Sequence, residues 1–237
     1  MSAYARPVLR IIDARTGEPI DVRPGLVRVH VHVTGAGTSA LRVLLVADVL
    51  ARALEMAGMP VVTVAAPCAA LQERAQALGI RPAEPDSPGP GRALHVVGTE
   101  HAAPEGARIE VAPAGGPAET ADAPCSPSAL RLALLWRPRG RPLALDPVAL
   151  SEARDTLGRW RAAVAGWATH PSRPVPEDVR QELRAAWEND LDVPAVLRVL
   201  ERVELDDGLP EGARFETYAY ADRLLGLGLA REIGTLA

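Results

Sequence analysis

Valine alternates with charged and imidazole side chains at the start of the chain's clearest pattern. Val27, Val29, Val31 and Val33 are separated by Arg28, His30 and His32. A period of two built on β-branched residues predicts a strand with one apolar and one polar face. Thr34-Gly35-Ala36-Gly37-Thr38-Ser39 interrupts it as a tight glycine-rich turn. Leu41, Leu44, Leu45, Leu50 and Leu54 then fall on one side of a helix running to about Ala57. Asp48 and Arg52, four apart, form a pair on its wetter side. Gly58 is placed to cap this helix and Pro60 to stop it. Val61 to Val64 reads as a second, buried strand. Strand, turn, helix and strand make a βαβ unit, which implies a parallel sheet with a right-handed crossover.

The remaining pattern divides in two. Ahead of the unit, Leu9 to Asp13 is a short strand and Thr16-Gly17-Glu18-Pro19 a turn. After it, Cys68 to Leu78 is a short helix ended by Gly79, and Pro85 to Gly91 is a loop. Leu94 to Val97 is a third buried strand opening into Gly98-Thr99-Glu100-His101, and Ala107 to Val111 is a fourth. Ala112 to Pro127, rich in Pro, Ala and Gly, reads as a linker. Beyond it the pattern is helical. Helices start at Pro127, at Asp146-Pro147, at Pro176-Glu177-Asp178 and at Asp192-Val193-Pro194, and Phe215 to Leu227 is the last amphipathic stretch. The expected domains are 1–125, a Rossmann-like α/β unit, and 126–237, a helical bundle. No internal repeat is visible.

Composition then changes this picture. The 237 residues are 48% hydrophobic but only 3% aromatic, so Leu, Val and Ala must build the cores. The net charge of −4 argues against a general polyanion binder. All 26 basic residues are arginine. A chain without lysine forms no Walker-type phosphate loop and no lysine Schiff base. Two cysteines, Cys68 and Cys125, make neither a zinc cluster nor a disulfide framework. Cys68 reads as an apolar filler and Cys125 as a linker thiol. With no secretory leader and no long apolar run, a cytoplasmic protein is the default expectation.

Four clusters could carry chemistry. Gly35 to Ala40 fits G-x-G-x-x-A between strand and helix, where backbone N–H groups, with Thr38 and Ser39, could hold a phosphate. The competing reading is a tight turn and nothing more. His95, Gly98, Thr99 and Glu100 lie at the end of a strand, where open α/β sheets bind ligands. His30 and His32 share one strand face, but no third metal ligand is assignable. Trp136, Arg137, Arg139 and Arg141 form the only dense basic patch, suited to phosphate contact and base stacking. The region 128–237 nevertheless holds 15 arginines against 17 acids, which weakens a broad nucleic-acid face.

In ordered fragments the chain resembles cysteinyl-tRNA synthetases and the related ligase that joins cysteine to glucosaminyl-inositol in mycothiol synthesis. LRIIDARTGEPIDVRPG is similar to the family's N-terminal strand and turn. VHVTG stands where the family has Tyr-Val-Cys-Gly, and VLLVADVLARALEMAGMPV resembles its first helix and second strand. ALHVVGTE resembles the adenylate-binding run His-Gly-Gly-Gly-Ser-Asp. SPSALRLALLWRPRGRPLALDPVAL, ENDLDVPAVLRVL and the stretch Tyr220 to Leu229 resemble parts of the helical region.

The resemblance implies a class I synthetase (HUP-type) parallel sheet followed by a helical domain, with Thr34 to Ser39 and His95 to Glu100 facing a nucleotide. It also exposes departures. The His-x-Gly-His signature is replaced by Gly35-Ala36-Gly37-Thr38-Ser39. The place of the lysine-bearing KMSKS loop, Ala112 to Pro124, has no basic residue. Thr34 stands where the first zinc-binding cysteine belongs, and an insertion is missing between Leu71 and Leu94. The expectation is therefore a shortened, catalytically degenerate relative that binds or regulates, with no catalytic residues, no metal and no required cofactor. A ligase rebuilt around ATP or AMP is the first alternative. A homodimeric or synthetase-associated interaction protein is the second, and tRNA is not the favoured partner.

Overall fold

The structure is a computed structural model that describes residues 9–85, 89–99, 104–116 and 126–234. Two compact units make up the chain. The first comprises Met1–Pro113 with two later stretches, Arg139–Pro142 and Trp187–Asp192; the second comprises Ala114–Pro138, Leu143–Ala186 and Val193–Ala237. No single cut in the sequence produces this division. The expected linker falls largely on residues 117–125, outside the described residues, as do Glu100, His101 and Cys125.

In the first unit β1 (Leu9–Ile12) and β2 (Pro19–Val22) form an antiparallel hairpin. Strands β3 (Val27–His32), β4 (Val61–Val64), β5 (Arg92–Gly98) and β6 (Ala107–Val111) form a parallel sheet in the order β4-β3-β5-β6. Helix α1 (Thr38–Met56) joins β3 to β4, and α2 (Ala69–Ala77) follows. Winding runs one way from β3 to β4 and the other way from β3 to β5. The switch point therefore lies between the carboxyl ends of β3 and β5, where such sheets open a crevice.

Register sorts the sheet's two faces. Val29 pairs with Leu94, Val31 with Val96 and Val96 with Ile109, so these side chains share the apolar face under α1. Arg28, His30, His32, His95, Arg108 and Glu110 share the other face. The wet side expected for α1 does not exist. From Thr38 to Leu54 only Ser39 and Arg52 escape full burial. Asp48 is 4% exposed and accepts hydrogen bonds from Arg52 Nε at 2.9 Å and Arg81 Nε at 3.0 Å. The chain after α2 covers the helix face that spacing alone assigned to water.

The late stretches complete the first unit along its edge. Ala112 N–H donates to Arg139 O at 2.8 Å, and Arg139 donates to Glu110 O at 2.8 Å and to the carboxylate of Asp190. Asp190 also accepts from Ile12 N–H at 2.9 Å, and its own N–H donates to Arg10 O. Asp190 and Leu191 hold φ near +58° and +56°, a left-handed pair kept in place by these bonds.

The second unit is helical apart from the short parallel pair β7 (Ala114–Gly115) and β8 (Leu143–Ala144). It contains α3 (Pro127–Leu135), α4 (Pro147–Trp167), most of α5 (Glu177–Glu188), α6 (Val193–Leu205) and α7 (Glu211–Leu225), then a 3-10 turn at Leu229–Glu232. Ser126 and Asp146 cap α3 and α4 through bonds from Ala129 N–H and Ala149 N–H, with proline at the first turn of each. Gly226 ends α7 in the left-handed conformation, and Asp222 accepts from Leu227 N–H and Leu229 N–H. Two buried arginines occupy nearby carbonyls: Arg131 donates to Leu225 O, and Arg161 to Leu227 O and Gly228 O.

Two glycines in this unit should respond oppositely to alanine. A Cβ on Gly212 would lie 2.0 Å from Pro171 O, so Gly212→Ala must move backbone and should cost about 1–3 kcal/mol. Gly158, inside α4, has nothing within 4 Å of its Cβ direction, so Gly158→Ala should gain up to about 1 kcal/mol. Urea denaturation of both variants checks the pair.

Candidate functional site

Strand β3 carries His32 to its carboxyl end, and Val33 and Thr34 continue into the turn. Gly35 takes φ +71°, a conformation that favours glycine, which lets the backbone turn sharply. Gly37 is the extended residue before α1, and the first helical bond runs from Leu41 N–H to Gly37 O. At the neighbouring strand end, Gly98 and Thr99 terminate β5. Between these ends lies a cavity of about 170 Å³, walled by His32, Val33, Thr34, Ser39, Ala40, Val43, Gly98, Thr99, Val111 and Pro113. It sits at the switch point. Four residues expected at a ligand site, Thr34, Ser39, Gly98 and Thr99, meet there.

The other expected residues go elsewhere. Gly35 and Gly37 shape the turn without lining the cavity. Thr38 is 2% exposed, and its Oγ1 accepts from Arg74 Nη2 at 3.1 Å. The other terminal nitrogen of Arg74 donates to Ala36 O, and Cys68 Sγ lies 3.5 Å from Gly35 O. An arginine of α2 therefore grips the glycine turn. Arg74 lacks any local motif, and only the packing of α2 reveals it.

His95 is not at the rim. It lies in the body of β5, is 5% exposed and pairs in register with His30. Its Nδ1 is 3.0 Å from His32 Nε2. Its ring stacks on His30 at 5.3 Å between centroids and is tilted against His32 at 5.2 Å. Burial first, then His32, His30 and Arg108, pushes the His95 imidazole below its usual pKa, against a bond to the Glu105 backbone. The third imidazole beside His30 and His32 depends on strand order, which local sequence does not carry. His30 stacks on His95 instead of converging with it on a point, and among the described residues no group of three His, Cys, Asp or Glu is arranged to hold a metal ion.

Arg42, on α1, is fully buried and donates to Ala112 O at 2.9 Å and Arg141 O at 2.8 Å. Burial lowers its pKa to about 10.

The basic patch is divided. Trp136 is half-buried at the end of α3, and Arg137 is exposed in the second unit. Arg139 belongs to the first unit, with its side chain 10% exposed and engaged by Asp190. Arg141 is exposed, and its carbonyl receives Arg42. Arg139 therefore spends its charge inside the fold. No helix among the described residues is long and apolar enough to cross a membrane.

Comparison with known proteins bears on this geometry. Over 107 residues, 44% of the chain, the sequence is 38% identical to the L-cysteine:1D-myo-inositol 2-amino-2-deoxy-alpha-D-glucopyranoside ligase of Streptomyces scabiei, and equally so to that of Streptomyces griseus. The Segniliparus rotundus enzyme of the same name is 36% identical over 107 residues. The chain spans about a quarter of the length of these relatives, 25%, 25% and 24% respectively. No protein-family model matches it. The expected kinship with cysteine ligases of the cysteinyl-tRNA synthetase type is thus met at the level of homology.

Proposed function

We propose that the first unit is a ligand-binding module derived from a cysteine ligase, working without adenylate-forming catalysis. The cavity at the switch point carries this reading. It is at the right place for a class I synthetase site, but about 170 Å³ is small beside the roughly 300–1,000 Å³ of sites that hold drug-sized ligands. It suits a ligand nearer the size of an amino acid than of ATP. The surrounding chemistry supports the same reading. The turn Gly35–Ser39 has no histidine, and the 237 residues include no lysine to neutralise transferring phosphates. Loss of one such donor costs on the order of 10²–10³ in rate. Thr34, a weak ligand in place of a thiolate, does not fit a zinc centre.

Pyrophosphate exchange with ATP and each amino acid tests the proposal. The expected result is no exchange above background, with a thermal shift from small amino-acid-like ligands. Cysteine-dependent exchange would reject it.

A second reading rests on Arg74. Its guanidinium beside Ala36 and Thr38 puts a cation at the glycine turn, where a phosphate would sit in a ligase rebuilt around ATP or AMP. Stabilisation by ATP, AMP or aminoacyl-sulfamoyl adenosines, lost in Arg74→Ala, would favour this reading over the first.

A further inference from the structure

The first unit contains a second cavity. It opens past the carboxyl end of β4, between α2 and the stretch that follows it, and encloses about 290 Å³. The switch-point cavity encloses about 170 Å³, and the two share no lining residue.

The second cavity has a cause in the sequence. Leu44, Ala75 and Ile80 make a buried apolar floor. Ala65, Ala66 and Ala83 add only methyl groups around it, so the space between the elements stays unfilled. The outer wall is pinned open. Glu84 N–H donates to Thr63 O at 2.8 Å, and Ala65 N–H donates to Glu84 O at 3.0 Å, which ties this wall to the edge of β4. Pro82 and Pro85 flank that tie; each fixes its own φ and offers no N–H.

The polar character of the cavity is narrow. Gln72 and Gln76 border it from one face of α2, one helical turn apart. Among the described residues neither side-chain amide has a hydrogen-bond partner. Each amide presents a donor beside an acceptor. The charged residue of the lining is Arg81, and its guanidinium is matched by Asp48 at 3.0 Å and Glu55 at 2.7 Å. A carboxylate or phosphate entering here meets no uncommitted cation in the described lining. An ammonium group meets no carboxylate there either.

We propose that this cavity is a binding site for a neutral, planar bicyclic molecule with an amide-like edge, such as a lactam or a heterocyclic amide. Roughly 150 Å³ admits a single benzene ring, so about 290 Å³ admits a bicycle. The rings cover the floor of Leu44, Ala75 and Ile80. The donor and acceptor on the molecule's edge pair with the acceptor and donor of a glutamine amide. Neutrality follows from the ion pairs, which leave no charge at Arg81 for a ligand to answer. The site stands whether or not the switch-point cavity binds anything.

The test uses quinolinone, a neutral bicyclic lactam, titrated into the isotope-labelled full chain and followed by nuclear magnetic resonance. Saturable shifts are expected in the side-chain amide resonances of Gln72 and Gln76 and in the backbone resonances of Ala75 and Ile80. Naphthoate, a bicycle of similar size that carries a charge, should bind about tenfold more weakly or not at all. The double variant Gln72→Leu/Gln76→Leu changes two exposed positions, should keep the fold, and should weaken quinolinone binding by about threefold or more. Ala75→Leu should fill the floor and abolish binding; if it does not fold, the glutamine variant decides. Absence of saturable shifts at these residues overturns the proposal. So does equal binding of naphthoate, or undiminished affinity in the glutamine variant.

Discussion

Replacing Trp160 with alanine should destabilise the second unit by about 3–5 kcal/mol. Trp160 is 0% exposed and is among the largest fully buried side chains of the molecule. Its ring meets Tyr218 edge to face at 5.8 Å, and Trp167 meets the same tyrosine at 5.1 Å. Its Nε1–H donates to Glu204 at 3.0 Å. Alanine removes the filling, the edge contacts and the donor together, and α4 and α7 are too well packed to close over the space. Urea denaturation followed by far-ultraviolet circular dichroism measures the loss. A cost below about 1 kcal/mol would mean that the second unit's core lies elsewhere. Trp160→Phe should lie between, since it keeps a ring but loses the bond to Glu204.

In the first unit the largest effect should come from Asp48→Ala. The Asp48 side chain is 2% exposed and holds both Arg52 and Arg81, while Arg81 also binds Glu55 at 2.7 Å. Removing the shared carboxylate leaves two guanidinium groups facing a vacated buried position, an arrangement that costs about 3–5 kcal/mol when the partners are buried. Arg81 is 39% exposed and can turn to water, so the lower end of that range is expected. Glu55→Ala, which removes a 43% exposed partner, should cost less than about 1 kcal/mol. Equal costs for the two variants would contradict a buried hub at Asp48. Chemical denaturation with a probe confined to the first unit separates them.

The sequence carries the elements better than their neighbours. Strand β3, the glycine turn, α1 and β4 are all legible, because a period of two followed by a helical period leaves few other arrangements. Proline and its capping residue mark the starts of α3 and α4 equally well. Strand β2 is not legible: Pro19-Ile20-Asp21-Val22 is too short and mixed to signal a strand, and pairing with β1 makes it one. The burial of Asp48 is hidden for a related reason, since helical spacing shows which residues share a side but not what covers it. His95 shows the same limit at the site. Its place beside His30 depends on β5 docking next to β3, a non-local event. Thr34 and Ser39, and separately Gly98 and Thr99, are legible as candidate groups because they sit at element ends; that they wall one cavity depends on strand order.

The strap of Arg139–Pro142 and the segment Trp187–Asp192 bear on how the protein is made. Ala112 N–H, Arg42 and Ile12 N–H all find partners on these stretches. Emerging from the ribosome at about 5–20 residues per second, the nascent chain exposes the sheet's outer edge until Asp190 appears. The first unit thus stays unfinished while the roughly 77 residues from Ala114 to Asp190 are added, and that interval is when a chaperone would find it.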